Sequence, residues 1–357
     1  MRVVHIINSL AVGGAERLLL QLHAGLLRKG IESRLLTLAT GPLDGEADTV
    51  CLHRRNIYSP STTLALARRL AVEAERGADL FHAHLFPSLL HFALASRWAR
   101  VRLPAVYTEH HVTNRRRGSL PGRVLDAMSY GRYDRVICVS EAARRSLVES
   151  RPSVADRAVV IRNGIDLSRF APEDSSRREK RPPVVVSVGR LREGKNLSMA
   201  LRAVSMLEDL RPVYRIVGEG PMRSALEALA AELGLEDRAE FLGARDDVPK
   251  VLAGADVLLH PSLSEGFGLV VLEAMAAGLP VVCTDLPALR EVVGGDGGAA
   301  LLCRPDAGEY ATALGRVLES PGLREEMAGA GRSRVGSFDM SDRVEDHALL
   351  YGEIVRG

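Results

Sequence analysis

The sequence predicts an α/β protein built from two doubly wound, parallel-sheet domains. Three observations predict it. Short apolar runs alternate with helical patterns from residue 3 to residue 161, and a polar, proline-bounded stretch, APEDSSRREKRPP, then interrupts them. A second alternation of the same kind starts at Val184. Strands separated by helices pair in parallel, because each helix carries the chain back over a sheet face before the next strand. A chain of 357 residues is long enough for two such cores.

The first domain is expected over residues 1–170. Its strands are predicted at 3–7, 33–38, 80–83, 105–108, 135–139 and 158–161, with amphipathic helices at 15–27 and over much of 64–75. Asn163-Gly164 turns the chain, and residues 171–183 form the linker. The second domain, 184–338, predicts strands at 184–188, 214–217, 239–242, 257–259 and 281–283. Its helices are predicted at 196–207, 222–233, 248–253 and 269–277. Gly278 and Pro280 stop the last of these, a glycine terminator with proline soon after. The tail, 339–357, is expected to be helical and to pack back on the first domain. Both halves are Rossmann-like, and ligands of such sheets sit at the carboxyl ends of the strands.

Composition narrows the classes. A hydrophobic fraction of 46% and a charged fraction of 26% describe an ordinary soluble chain. Met1-Arg2 leads straight into Val3-Val4-His5-Ile6-Ile7, too short for a signal core, and no run approaches the roughly 20 apolar residues of a spanning helix. A cytoplasmic location is expected, possible membrane association being peripheral, at the inner face. Cys51, Cys138, Cys283 and Cys303 are scattered without paired spacing, which argues against a zinc or disulfide framework. The net charge of +2 hides an asymmetry: 25 basic against 15 acidic residues through Phe170, and 22 against 30 thereafter. A basic first half suits an anionic partner such as membrane headgroups, a lipid phosphate or an acidic saccharide. An arginine-rich habit of composition explains it equally well. Arg115-Arg116-Arg117 with Leu120, the pair Arg144-Arg145, and Arg97, Trp98, Arg100 and Arg102 are the basic stretches that would face a membrane. No nucleic-acid partner is expected.

The stretch His260-Pro-Ser-Leu-Ser-Glu265-Gly266-Phe267-Gly268-Leu269-Val270-Val-Leu-Glu273 carries the strongest chemistry. A strand runs into a glycine-containing loop that opens a helix. The first helical turn leaves backbone N–H groups unpaired and bears roughly half a positive charge, so a diphosphate could rest on Phe267 to Val270. Glu265 and Glu273 would repel phosphate, and read better as acceptors for sugar or ribose hydroxyls. Gly189-Arg190-Leu-Arg-Glu-Gly-Lys195-Asn196 follows the first strand of the second domain, bringing two cations to a helix start. Arg190 and Lys195 suit a diphosphate held without metal. Gly218-Glu219-Gly220-Pro221 and Gly243-Ala244-Arg245 end further strands, where backbone can meet a nucleobase edge or make an ordinary turn. Gly13-Gly14 is either a flexible loop at the ligand or a plain strand-to-helix turn. It is not GxGxxG, and no acidic residue follows the second strand as a nicotinamide site needs. His82 and His84 share a face if extended, and His110 and His111 follow a strand. No carboxylate accompanies them at metal-ligand spacing and no Asp-x-Asp ends a strand, so no metal or other cofactor is expected.

GGAE, FHAH, VYTEHH, ICVSE, IRNGID, VGRLREGKN, IVGEGP, FLGARDDVP and the E-x7-E stretch occur in this order over most of the chain. The ordered set resembles the retaining glycosyltransferases of family 4, of GT-B architecture: two Rossmann-like domains facing a cleft. The resemblance implies transfer of a sugar from a nucleotide-sugar donor, UDP- or GDP-linked, to a glycan, lipid-linked or small-molecule acceptor in cell-surface polysaccharide or glycolipid synthesis. Arg190 and Lys195 would hold the diphosphate, Glu273 the ribose, and Glu265 the donor sugar. Backbone at Gly266, Phe267, Gly268, Leu269 and Val270 would touch phosphate and sugar, and backbone at Gly189, Gly218, Ala244 and Arg245 would line the donor. Gly13 and Gly14 would approach the donor from the first domain. The family's cleft histidine falls on His110, with His111 as rival. It would hydrogen-bond the donor sugar or polarise the reacting centre rather than abstract a proton, the leaving phosphate serving as base, while domain closure keeps water out. A GT-B nucleotide-sugar isomerase or a non-catalytic nucleotide-binding relative is the alternative.

Overall fold

The structure is a computed structural model that describes all residues except 12, 115–118, 171–180 and 296–297. Most of the expected linker, and the Arg115-Arg116-Arg117 run, therefore lie outside the described residues. The chain divides into two compact units, Met1–Gly164 with Met340–Gly357, and Ile165–Asp339.

The first unit holds a seven-stranded sheet of β1 (Arg2–Ile7), β2 (Glu32–Thr37), β3 (Thr49–Cys51), β4 (Leu80–His84), β5 (Ala105–Glu109), β6 (Arg135–Cys138) and β7 (Ala158–Val160). Its helices are α1 (Gly14–Arg28), α2 (Pro60–Glu75), α3 (Ser88–Trp98), α4 (Leu120–Tyr130) and α5 (Glu141–Ser150). Strand order is β3-β2-β1-β4-β5-β6-β7, every pairing parallel. Helices on both faces explain why Val3, Val4, Ile6 and Ile7 are all fully buried rather than alternating in and out.

The second unit repeats the plan with β8 (Val184–Val188), α6 (Leu197–Ser205), β9 (Val213–Val217), α7 (Arg223–Glu232), β10 (Ala239–Gly243), α8 (Val248–Ala253), β11 (Val257–His260), α9 (Leu269–Ala276) and β12 (Val281–Thr284). It continues through α10 (Pro287–Val293), β13 (Ala300–Cys303), α11 (Ala307–Glu319) and α12 (Pro321–Val335). The parallel order is β10-β9-β8-β11-β12-β13. Its core gathers Val185, Leu201, Tyr214, Leu259, Val282 and Tyr310. Cys138 and Cys283 are buried, and none of the four cysteines is in a disulfide.

The final helix, α13 (Met340–Arg356), belongs to the first unit. Val344, Leu350 and Tyr351 pack there with Leu22, Leu26, Val3 and Leu80. Two strands escape the sequence pattern, β3 and β13. Both sit at sheet edges, and β3 is a half-buried three-residue strand, too short to show a period.

In each sheet the first strand lies between the second and the fourth, so strand order reverses beside β1 and beside β8. At such a switch point the two following loops diverge and leave a crevice at the carboxyl ends.

Candidate functional site

In the second unit the crevice lies where β8 and β11 end. Gly189 follows β8, and the chain then turns through Arg190 to Lys195 into α6. Leu263 N–H donates to Gly194 O at 3.0 Å, which ties the loop after β11 to this turn. Gly218, after β9, has φ +135°, and a Cβ there would lie 2.0 Å from Gly189 O. Only glycine allows the ends of β8 and β9 to approach so closely.

Lys195 and Glu265 meet as an ion pair, Nζ to Oε1 at 2.6 Å, with side chains 16% and 14% exposed. His260, the last residue of β11, reaches the same oxygen through Nε2 at 2.9 Å and is 3% exposed. Burial works against ionisation of Glu265, but the Lys195 charge and the His260 hydrogen bond outweigh it and hold the carboxyl well below the usual carboxylate range. The carboxylate accepts only, so His260 Nε2 carries the hydrogen.

The helix that follows is α9. Gly268 precedes it with φ +102°, a conformation costly for other residues, and its Cβ position is filled by Leu289 Cδ2 at 2.4 Å. Phe267 and Gly268 are buried, while Leu269, Val270 and Glu273 are half-buried along the start of the helix. Arg190 is exposed, and its side chain makes no hydrogen bond or ion pair among the described residues. Gly218 N–H donates to Gly243 O at 2.7 Å, bringing the Gly243-Ala244-Arg245 segment beside the end of β9. Arg245 is exposed and turns its guanidinium onto Asp247 at 2.7 and 2.8 Å.

In the first unit the crevice lies where β1 and β4 end. Gly13 caps α1 without a side chain, and Glu16 sits in its first turn. His84 ends β4, and His110 follows β5. Behind them lies a layer of buried imidazoles. His5 Nδ1 meets His84 Nε2 at 3.1 Å. His82 is hydrogen-bonded on both nitrogens, to the Tyr351 hydroxyl at 2.6 Å and the Thr108 hydroxyl at 2.7 Å. The His84 ring lies 4.0 Å from that of His82 and 6.0 Å from that of His110. Burial, and for all but His347 repulsion from neighbouring imidazoles, keeps these rings neutral: His5 and His110 are lowered to about 3, His347 on α13 to about 4, and His82 and His84 well below 6.5.

One nitrogen each of His5, His82 and His84 lie within 4.8 Å of one another, close enough to share a metal ion. The fit is poor, because both His82 nitrogens already engage hydroxyls and, among the described residues, no carboxylate joins the group. His110 Nε2 is buried without a hydrogen-bond partner among the described residues, whereas His111 is exposed and donates its backbone N–H to Glu109 at 3.2 Å.

The structure thus brings Gly189, Lys195, Gly218, Glu265 and the start of α9 to the carboxyl end of one sheet, with Arg190 in the same turn. It places Gly13, Gly14, His110 and His111 in the other unit. Sequence reasoning gave no role to His260, His5, His347 or Tyr351. For His260 a signal existed: a polar residue closing an apolar strand five positions before Glu265. For the others none did: His5 meets His84 across 79 residues, Tyr351 meets His82 across 269, and the His347 ring also lies against that of His82.

Comparison with known proteins adds an independent line. A model of glycosyl transferases group 1 matches residues 169–334, and a model of glycosyltransferase family 4 matches residues 12–169. The chain is 31% identical over 318 residues to a D-inositol 3-phosphate glycosyltransferase of Acidothermus cellulolyticus, covering 81% of this chain and 70% of that protein. The protein of the same name from Salinispora arenicola is 30% identical over 324 residues, covering 80% and 72%. Among solved structures, HepE of Anabaena in complex with UDP and glucose superposes with a TM-score of 0.86 at 24% identity, covering 99% of each chain. Sucrose-phosphate synthase of Thermosynechococcus elongatus gives 0.84 at 22%, with the same coverage. These likenesses give the fold as GT-B.

Proposed function

From the premise that this chain belongs to the glycosyl transferases of group 1, family 4, we propose that it is a retaining, metal-independent hexosyltransferase using a nucleotide-sugar donor. The observation that carries the reading is the Lys195–Glu265–His260 group at the switch point of the second sheet, beside the start of α9. Cations and helix N–H groups supply the charge that a metal would otherwise supply to a diphosphate. UDP is the first nucleotide to test, because HepE is solved in complex with it.

In this reading Arg190 and Lys195 hold the diphosphate and stabilise charge on the leaving group. Glu265 accepts from donor-sugar hydroxyls and Glu273 from the ribose. Gly266 to Val270 approach the phosphate and sugar, and backbone at Ala244 and Arg245 meets the base. His110, rather than exposed His111, hydrogen-bonds the donor sugar. The bond between the anomeric carbon and its phosphate oxygen breaks as the acceptor oxygen bonds to that carbon from the same face, and the acceptor proton passes to the departing phosphate oxygen. The acceptor is a glycan, a lipid-linked sugar or a small polyol, with inositol phosphate on trial because two relatives bear that name.

A panel of UDP-, GDP- and ADP-sugars, each with and without acceptor, tests the reading through nucleoside diphosphate release. Acceptor-dependent release is expected, and Lys195→Ala and Glu265→Ala are each expected to lower it by at least roughly 100-fold while remaining folded. Near-normal turnover in both variants would sink the assignment. Conversion of the donor without acceptor would favour the isomerase alternative, and tight binding without turnover a non-catalytic relative.

A second reading concerns where the enzyme works. Leu120, Val124 and Met128 recur every four residues on α4 and are 74%, 52% and 42% exposed, with Arg123 among them and Trp98 exposed at the end of α3. Among the described residues no helix is long and apolar enough to cross a membrane. We propose that this face rests on an anionic membrane. Flotation with phosphatidylglycerol vesicles at low salt, reduced by Leu120→Ser with Met128→Ser, is expected. A protein that stays at the bottom of the gradient ends the idea.

A further inference from the structure

Glu265 receives both of its side-chain hydrogen bonds on one oxygen. Lys195 Nζ lies 2.6 Å and His260 Nε2 2.9 Å from Oε1, and Oε2 takes no hydrogen bond among the described residues. The two donors differ in how firmly they are held. Lys195 sits in a short turn, with its stem passing over Gly189, where a Cβ would fall 3.4 Å from Lys195 Cε. A flexible four-carbon arm can swing between a carboxylate and a phosphate. His260 cannot swing. Its backbone is fixed in β11, in register with Cys283 of β12, and its ring is 3% exposed.

A bound diphosphate competes with Glu265 for the Lys195 ammonium, and its own negative charge opposes a nearby carboxylate. If Lys195 were the only partner, Glu265 would be left to rotate or take up a proton when a fixed acceptor is needed. A buried imidazole N–H on Oε1 removes both options. We propose that His260 is a positioning residue for Glu265. It keeps Oε1 occupied when the donor diphosphate draws Lys195 away, so that Oε2 faces the donor sugar as a fixed acceptor and discriminates between hydroxyl epimers. The inference rests on Glu265 being the sugar-binding carboxylate, as proposed above.

The test compares the wild type with His260→Leu, His260→Asn and His260→Gln, and with Glu265→Gln as reference. UDP-glucose and its C4 epimer UDP-galactose are the donors, UDP is the binding probe, and release of UDP is read. His260→Leu, which has no donor, and His260→Asn, whose amide is too short, are expected to lower kcat/KM for the better donor by roughly 10- to 100-fold. They are also expected to bring the two epimers within threefold of each other, while UDP affinity stays within twofold. His260→Gln, with an amide N–H within reach, restores at least a third of the lost discrimination. A merely structural role predicts a different pattern, in which UDP affinity falls in step with turnover and Gln rescues nothing, and that result overturns the proposal. So does unchanged discrimination in both the Leu and Asn variants while Glu265→Gln is inactive. Should His260→Leu fail to fold, the Asn and Gln pair decides by the same criteria. Full activity in Glu265→Gln would instead refute the underlying reading of Glu265, and is thereby told apart from failure of the His260 role.

Discussion

His82 and His260 are both strand histidines with at most 3% of their surface exposed, one in each unit, and their neighbours give them opposite characters. His82 lies among His5, His84, His110 and His347, with hydroxyls but no carboxylate against its ring nitrogens. His260 lies against a carboxylate that is itself paired with an ammonium. The first group is a neutral hydrogen-bonded layer that fastens α13 to the sheet through Tyr351. The second is a charged group, the one that the proposed function sets against the donor. Burial alone therefore does not tell these two histidine environments apart; the charge of what each ring touches does.

The largest effect expected from this contrast is a separation of activity from stability. Glu265→Gln should lower turnover by at least roughly 100-fold while moving the thermal midpoint little. His82→Leu should do the reverse, because it strands the Thr108 and Tyr351 hydroxyls. A loss of about 2–4 kcal/mol in denaturant unfolding is expected, with turnover per folded molecule within threefold of wild type. Tyr351→Phe removes one hydroxyl from the same layer and should cost about 1–2 kcal/mol. If His82→Leu is stable but inactive, the contrast is broken.

A smaller effect distinguishes the two units by pH. The folded-state values of His5, His110 and His347 lie at about 3, 3 and 4, below the ordinary 6.5. Between those values and 6.5 the unfolded chain binds more protons than the folded one. The contribution of these histidines is thus intact above pH 6.5 and is lost progressively as pH falls toward 4. Glu265 stays ionised throughout that window, since its carboxyl is held below its ordinary 4.5. Hydrogen exchange at pH 7 and pH 5 should show β1, β4 and α13 losing protection while β8 and β11 keep theirs. Equal losses in both units would remove the distinction.

Much of this was legible in the chain itself. The apolar runs at 3–7, 105–108, 184–188 and 257–259 became strands within a residue or so of their predicted limits, because a strand buried on both faces must be apolar throughout. Glycines at strand ends marked the crevices, and the E-x7-E spacing placed one carboxylate in a loop and one on a helix. The edge strands β3 and β13 were not legible, since β3 has only three half-buried residues and edge strands show weaker patterning.

The sequence by itself determined two parallel sheets, the cations and carboxylates of the second unit, and the family to which the chain belongs. Tertiary structure alone decided which of these side chains meet. Parallel register places His5 opposite His82, residues 77 positions apart in the chain, and the return of α13 supplies Tyr351 to the same layer. The adjacency of β8 and β11 carries Lys195 to Glu265 across 70 residues and leaves His260 on the same oxygen. Local pattern sets what each segment becomes, because it depends on neighbours three or four residues away. Which buried polar groups satisfy one another depends on strand order, which no local pattern encodes.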